Sequence, residues 1–238
     1  MNQIYNRLAL LIGNEELEKL KQISVIIFGA GGVGSWAAEA LVRSGIGKIT
    51  IVDNDTVCAS NINRQIQATS ATIGYPKASV LKKRLNEINP DCEIIAKDEL
   101  FCIKNVSSFE IDKTDYVIDA IDTLNHKLDL IEIVCASKAT LFSSMGMAVK
   151  MDPIRIKIAS VWKTEGCPLA RHVRNGLRKR GFSGDFTVVY SNENFTPKET
   201  VKPDIGQKKV NGSIVTVTAT AGLYLANLVL HSCITRKM

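Results

Sequence analysis

The stretch Gly29-Ala-Gly-Gly-Val-Gly-Ser35 sets Gly29, Gly31 and Gly34 in the spacing G-x-G-x-x-G, with Gly32 beside them. Ahead of it runs Ser24-Val-Ile-Ile-Phe28, and behind it Trp36-Ala-Ala-Glu-Ala-Leu-Val-Arg43, which is rich in helix formers. A glycine turn between a buried strand and a helix lets backbone approach a phosphate. The start of the helix adds unpaired N–H groups and the positive end of its dipole. Asp53 follows about 20 residues on, at the end of a second apolar run, where a carboxylate holds ribose hydroxyls. Loop and acid together specify a nucleotide but not which one, since NAD and ATP share ribose and phosphates.

Residues that hydride transfer has no need of carry the distinction. Arg64 and Lys77 are two cations downstream of the glycine loop, Lys77 in Gly74-Tyr-Pro-Lys77. A triphosphate split between its α- and β-phosphates gathers negative charge on both sides of the breaking bond, and cations aimed there favour the transition state. Asp122, in Val117-Ile-Asp-Ala-Ile-Asp122, follows another apolar run at the end where open α/β sheets bind ligands. A carboxylate there can hold Mg²⁺ against phosphates. Taken singly, each of these charges reads first as a solvated surface group, and their shared placement near strand ends reverses that preference.

The elements that must position these residues have a regular rhythm. Residues 24–28 and 48–52 read as strands of a parallel sheet joined by the glycine turn and a helix that Ser44-Gly45 ends, one right-handed crossover unit. Residues 78–89 carry a helical stripe of Val80, Leu81, Leu85 and Ile88, closed by Pro90. Residues 93–96, 116–120 and 140–144 read as further strands and 125–138 as a helix. Later the pattern changes: 155–160 alternates like an antiparallel strand and 167–180 is a basic helix. The polar, Lys- and Pro-bearing stretch 191–212 is expected to be a mobile loop. The apolar run 214–230 reads as a buried helix, with a membrane-contacting segment as its alternative. The expectation is an α/β, Rossmann-like doubly wound, mainly parallel sheet with antiparallel later strands, in a single domain over 1–238.

Composition agrees with a globular enzyme: 238 residues, 45% hydrophobic and 23% charged. A formal charge of +6 permits a polyanionic partner without demanding one. Six cysteines, at 58, 92, 102, 135, 167 and 233, form no C-x-x-C pair, and three histidines make no zinc-ligand cluster. Scattered cysteines fit a reducing compartment, and the N-terminal run is too short and too soon acidic for a signal peptide, so a cytoplasmic protein is expected.

The motifs taken together resemble a known superfamily. Gly29-x-Gly-Gly-Val-Gly-Ser35, Asp53-x-Asp55, Ser60-Asn61-x-Asn63-Arg64-Gln65, Gly74-x-Pro-Lys77, Asn89-Pro90 and Asp119-x-x-Asp122 are similar to the ThiF/MoeB/HesA enzymes, relatives of the ubiquitin-activating enzymes. The resemblance implies Mg²⁺-ATP-dependent adenylation of a carboxylate in a homodimer. It implies a nucleotide site at Gly29, Gly31, Gly32, Gly34, Asp53, Asp55, Asn61, Arg64 and Lys77. Asp53 would hold the ribose, Asn61, Arg64 and Lys77 the phosphates, and Asp122 the Mg²⁺. Arg7, in Tyr5-Asn-Arg7, resembles the N-terminal arginine that reaches into the partner subunit's ATP site.

The sulfur-carrier activators of this superfamily usually hold zinc with two C-x-x-C pairs, which are missing here. Ser35-Trp-Ala-Ala-Glu-Ala-Leu41, Arg43-Ser-Gly-Ile-Gly47, Met151-Asp-Pro153 and Pro168-Leu-Ala-Arg171 instead resemble the branch that dehydrates threonylcarbamoyladenosine on tRNA. That branch implies tRNA as partner, with sulfur-relay proteins as further partners, and adenylation of a threonyl carboxylate followed by ring closure. The alternatives are a zinc-free sulfur-carrier adenylyltransferase, a non-catalytic nucleotide sensor and an NAD oxidoreductase. Cys167 admits two readings, an acceptor thiol served by Arg171 and His172 or a small residue ahead of a helix-opening proline. Arg171, Arg174 and Arg178 fall on one helical face, as tRNA phosphate contacts or as a solvated basic face, with Lys198, Lys202, Lys208 and Lys209 a weaker candidate.

Overall fold

Alternation along a single strand sets the architecture. In Ser24–Phe28 (β1), Val25 and Ile27 point into one apolar cluster and Ile26 and Phe28 into another, as a period of two requires of a strand covered on both faces. A computed structural model describes residues 3–199 and 211–235. After Asn6–Ile12 (α1), Asn14–Leu20 (α2) and β1 come Gly34–Arg43 (α3), Lys48–Val52 (β2), Lys77–Ile88 (α4), Glu93–Lys97 (β3) and Tyr116–Asp119 (β4). Leu124–Ala136 (α5), Thr140–Ser144 (β5), Ile156–Ser160 (β6), Pro168–Lys179 (α6), Thr187–Ser191 (β7) and Val215–Thr235 (α7) complete the order.

The seven strands form one sheet in the order β3-β2-β1-β4-β5-β7-β6, parallel except where β6 runs antiparallel to β7. The expected doubly wound, mainly parallel sheet with an antiparallel later strand is the observed one. Helices cover both faces. Ala37 and Leu41 of α3, Leu81 and Leu85 of α4 and Val217, Ala221 and Leu225 of α7 join Val25 and Ile27. Leu128 and Ile131 of α5 and Val173 and Leu177 of α6 join Ile26 and Phe28. The edge strands β3 and β6 are five residues each and carry exposed ion pairs, Lys48–Glu93 at 2.9 Å and Lys157–Glu165 at 3.2 Å.

Several boundaries differ from the expectation. β7 has no counterpart in it, and Ser191, placed in a loop, closes that strand. Glu193, also placed in the loop, is buried: its carboxylate accepts from the N–H groups of Met151 and Asp152, and its carbonyl accepts from Lys150. Residues 200–210 of the expected loop, with Lys202, Lys208 and Lys209, lie outside the described residues. Among the described helices α7 alone is long and apolar enough to cross a membrane, yet its Val217, Ala221, Leu225, Ala226 and Val229 are core residues packed with α3. Tyr5 anchors the N-terminal helices: its hydroxyl donates to the Val42 carbonyl at 3.0 Å, and burial pushes the phenol up to about 12, keeping it a neutral donor.

Candidate nucleotide site

The strand order reverses between β1 and β4, and the crevice beyond their carboxyl ends is where open α/β sheets take ligands. The glycine loop leaves β1 there. Gly29 has φ +96°, and a Cβ on it would lie 2.7 Å from the Ala120 carbonyl oxygen, at the end of β4. A Cβ on Gly34 would lie 1.9 Å from the Gly29 carbonyl oxygen, so backbone closes on backbone at both ends of the loop. Gly31 is different: a Cβ there would meet nothing within 4 Å. Its glycine is not demanded by the protein's own packing, and its open side leaves room for a phosphate to approach the backbone.

Two side chains hold the loop from opposite sides. Asp53, just past β2, accepts the Ala30 N–H at 2.7 Å with one carboxylate oxygen and the Asp55 N–H at 2.8 Å with the other. Burial raises this carboxyl above its ordinary range, opposed by the Asp55 N–H, Lys77 and the Ala30 N–H. Ribose hydroxyls donating to it would favour the charged form further. From the other side Gln67, buried, donates its side-chain N–H to the Ala30 carbonyl at 2.7 Å. A trans peptide is planar, so a carbonyl drawn inward turns the next N–H outward. Gln67 thereby turns the Gly31 N–H away from its own side of the loop.

Gln67 keeps its own Oε1 buried without a hydrogen-bond partner among the described residues, a cost that an apolar side chain would not carry. Gln67→Leu is therefore expected to separate two readouts. ATP should bind about tenfold more weakly, the scale of one neutral hydrogen bond, while urea unfolding shifts by no more than about 1 kcal/mol, since relief of the unpaired Oε1 offsets the Ala30 carbonyl left without its donor. A drop in stability with unaltered ATP affinity would mean that Gln67 serves packing alone.

The cations stand around the same opening. Lys77, at the start of α4 and only 6% exposed, places its Nζ 2.7 Å from Asp55 Oδ2. Bonds between Lys77 N and Asp55 O, Val57 N and Tyr75 O, and Gly74 N and Val57 O tie segments 53–57 and 74–77 together. Arg64 is directed by its neighbours, its Nη1 donating to the Ser60 carbonyl at 2.8 Å and to Asn63 Oδ1 at 3.0 Å, while its carbonyl accepts from Trp36 Nε1. A Cβ on Gly32 would lie 3.2 Å from both Arg64 Cγ and the Thr218 side chain, so the stem of Arg64 borders the glycine loop. Asn61 is buried and its Oδ1 accepts the Cys58 N–H at 3.0 Å, leaving its amide nitrogen as the group a phosphate could meet.

Asp122 is exposed beyond β4 and its backbone is held by a buried ion pair. Lys127 and Asp119, both 0% exposed, are 2.7 Å apart. Ser143 Oγ donates to Asp119 at 2.6 Å, the Ile121 N–H donates to it at 3.1 Å, and Lys127 also donates to the Ile121 carbonyl at 2.8 Å. Among the described residues no three His, Cys, Asp or Glu side chains are grouped to hold a metal. A single carboxylate suits Mg²⁺, which is commonly bound by one or two carboxylates and substrate phosphates.

Sequence reasoning missed Gln67, Thr218 and the Lys127–Asp119–Ser143 cluster, since Gln67, Thr218 and Ser143 each meet a partner remote in the chain. The start of α7 borders the site through Thr218 beside Gly32, and just ahead of that helix the Ser213 carbonyl accepts from Asn63 Nδ2 at 2.9 Å. Arg7 is exposed on α1, which Tyr5 ties to Val42 near the end of α3, whereas the glycine loop lies at that helix's start. The structure does not bring Arg7 to the nucleotide site of its own chain. The single arginine face of α6 also divides: Arg171 is exposed, Arg174 turns to Thr164 Oγ1, and Arg178 lies over the Trp162 ring at 5.4 Å. Cys167 is 4% exposed at the start of α6 ahead of Pro168, whereas Arg171 and His172 face solvent.

Comparison with known proteins agrees with this geometry. Residues 5–238 match the ThiF family. The tRNA threonylcarbamoyladenosine dehydratase of Bacillus subtilis is 43% identical over 203 residues, 85% of this chain and 80% of its own length. The enzyme of that name from Haemophilus influenzae is 35% identical over 237 residues, covering 94% and 90%. A solved structure of the Escherichia coli dehydratase TcdA in complex with ATP superposes with a TM-score of 0.87 at 33% identity, covering 98% of this chain and 95% of that one. The Escherichia coli molybdopterin-synthase adenylyltransferase is 34% identical over 150 residues, only 62% of this chain.

Proposed function

The chain belongs to the ThiF family, and we propose that it is an ATP-dependent tRNA threonylcarbamoyladenosine dehydratase. The observation that carries this reading is a glycine loop that is open at Gly31, latched by Asp53 and flanked at Gly32 by Arg64, in a chain that resembles the dehydratases over most of its length. Sulfur-carrier adenylyltransferases match a shorter part, and the cysteine pairs that hold their zinc are missing.

The reaction begins when the threonyl carboxylate of the modified adenosine attacks the α-phosphorus of ATP and pyrophosphate leaves. Glycine-loop N–H groups and the α3 dipole hold the phosphates, while Arg64 and Lys77 meet the charge that grows on both sides of the breaking bond. Lys77 is neutralised in part by Asp55 until a phosphate competes for it. Asp122 would hold Mg²⁺, which would supply further charge neutralisation. The carbamoyl group of the same nucleoside then attacks the acyl-adenylate, closing a ring and releasing AMP, so the net change is loss of one water. Because that nucleophile is already in place, no protein thiol is required, which agrees with a buried Cys167.

A homodimer would complete the site, because Arg7 stands exposed away from its own glycine loop, as an arginine serving a second copy would. Free cysteines fit a cytoplasmic setting. Mass spectrometry of tRNA nucleosides after incubation with protein and ATP tests the reading. Threonylcarbamoyladenosine should lose the mass of one water as AMP appears. An unchanged nucleoside, with pyrophosphate exchange stimulated by a small protein ending in Gly-Gly, would establish the sulfur-carrier alternative.

A further inference from the structure

Helices α5 and α6 touch where a Cβ on Gly176 would lie 2.5 Å from Leu128 Cδ1, so a larger residue there would have to displace that leucine. Toward the start of α5 the two helices leave a cleft of about 440 Å³, lined by Leu124, His172, Asn175, Gly176, Arg178 and Lys179. Four of these six side chains are hydrogen-bond donors and none is a carboxylate. The acids of α5 are engaged elsewhere, since Asp129 and Glu132 both bind Arg180 at 2.7 Å. The Trp162 ring fixes Arg178 without neutralising it. Among the described residues no side chain caps α5: Thr123 donates to Asp122, so the first-turn N–H groups add positive potential at the Leu124 end.

We propose that this cleft grips a backbone phosphodiester of the RNA substrate next to the modified nucleoside, an assignment that rests on the tRNA reading above. Its place supports the assignment: Leu124 comes two residues after Asp122, so a strand lying in the cleft delivers a neighbouring nucleoside to the nucleotide site. Its chemistry does so too. Cationic side chains suit the phosphate, and Asn175 and His172 suit the ribose 2′-hydroxyl, giving a hold that reads no base. The binding face on α6 is then His172, Asn175, Arg178 and Lys179, in place of the Arg171–Arg174–Arg178 stripe expected from helical spacing.

The test is tRNA binding over a potassium chloride series for the full chain and for Lys179→Glu and Asn175→Asp. Lys83→Glu, on exposed α4 surface, controls for net charge, and ATP affinity is measured alongside. Both cleft variants should bind tRNA at least about tenfold more weakly, with the log–log salt slope smaller by about one for each phosphate that is no longer held. Their ATP affinity and thermal midpoints should match the parent, and Lys83→Glu should bind tRNA within about twofold of it. Parent-like binding by both cleft variants, or an equal loss in Lys83→Glu, overturns the cleft. A parent protein that binds ATP but no tRNA at any salt overturns the functional reading itself.

Discussion

Asp122→Ala is expected to leave ATP binding nearly intact and to lower turnover by about 10²–10³-fold, the scale of losing one preorganised electrostatic group at a reacting centre. Binding should survive because the groups proposed to hold the nucleotide are elsewhere. Asp53 latches the Ala30 N–H, Gln67 turns the Gly31 N–H outward, and Lys77 and Arg64 approach from other segments. Asp122 stands apart from them on a fixed loop at the end of β4, where its carboxylate meets Thr123 Oγ1 at 3.3 Å. Calorimetric ATP affinity beside single-turnover AMP release separates the two effects. Unchanged ATP-dependent turnover would remove Asp122 from the chemistry.

The second large effect is on stability. Lys127→Met should destabilise the protein by about 3–5 kcal/mol, because it leaves Asp119 charged, buried and short of a partner. Both members of the pair are fully buried, so solvent offers no relief. Replacing Asp119 by leucine as well should recover much of the loss, since an apolar pair of similar volume is tolerated where a half-pair is not. Urea unfolding of the two single variants and the double variant checks this. The double variant should still turn over slowly, because Lys127 also holds the Ile121 carbonyl next to Asp122. Full activity in it would show that the cluster serves folding alone.

Much of the fold was legible because a parallel sheet covered on both faces writes its strands as continuous apolar runs. Residues 24–28, 48–52 and 140–144 coincide with β1, β2 and β5. β7 is hard to read because Thr187-Val-Val-Tyr-Ser191 is short and runs directly into polar sequence. Within the site, the glycine loop and Asp53 could be read because a turn and the helix after it are local in the chain. Gln67, Ser143 and Thr218 could not, since each meets a partner far off in the chain, Ala30, Asp119 and Gly32 respectively. The stripe on α6 shows the limit of periodicity: spacing gives three arginines a common face, but the contacts of Thr164 and Trp162 with two of them depend on tertiary placement.

The ion pairs on the outer strands bear on colloidal behaviour. β3 and β6 each offer a row of backbone groups to which a stray strand could add. At both, the added strand would have to lie against Lys48 and Glu93 or Lys157 and Glu165, stripping water from charges it cannot satisfy. Sheet-to-sheet growth into fibrils is disfavoured at each end of the sheet, and copies that come together are left with helical faces to meet by.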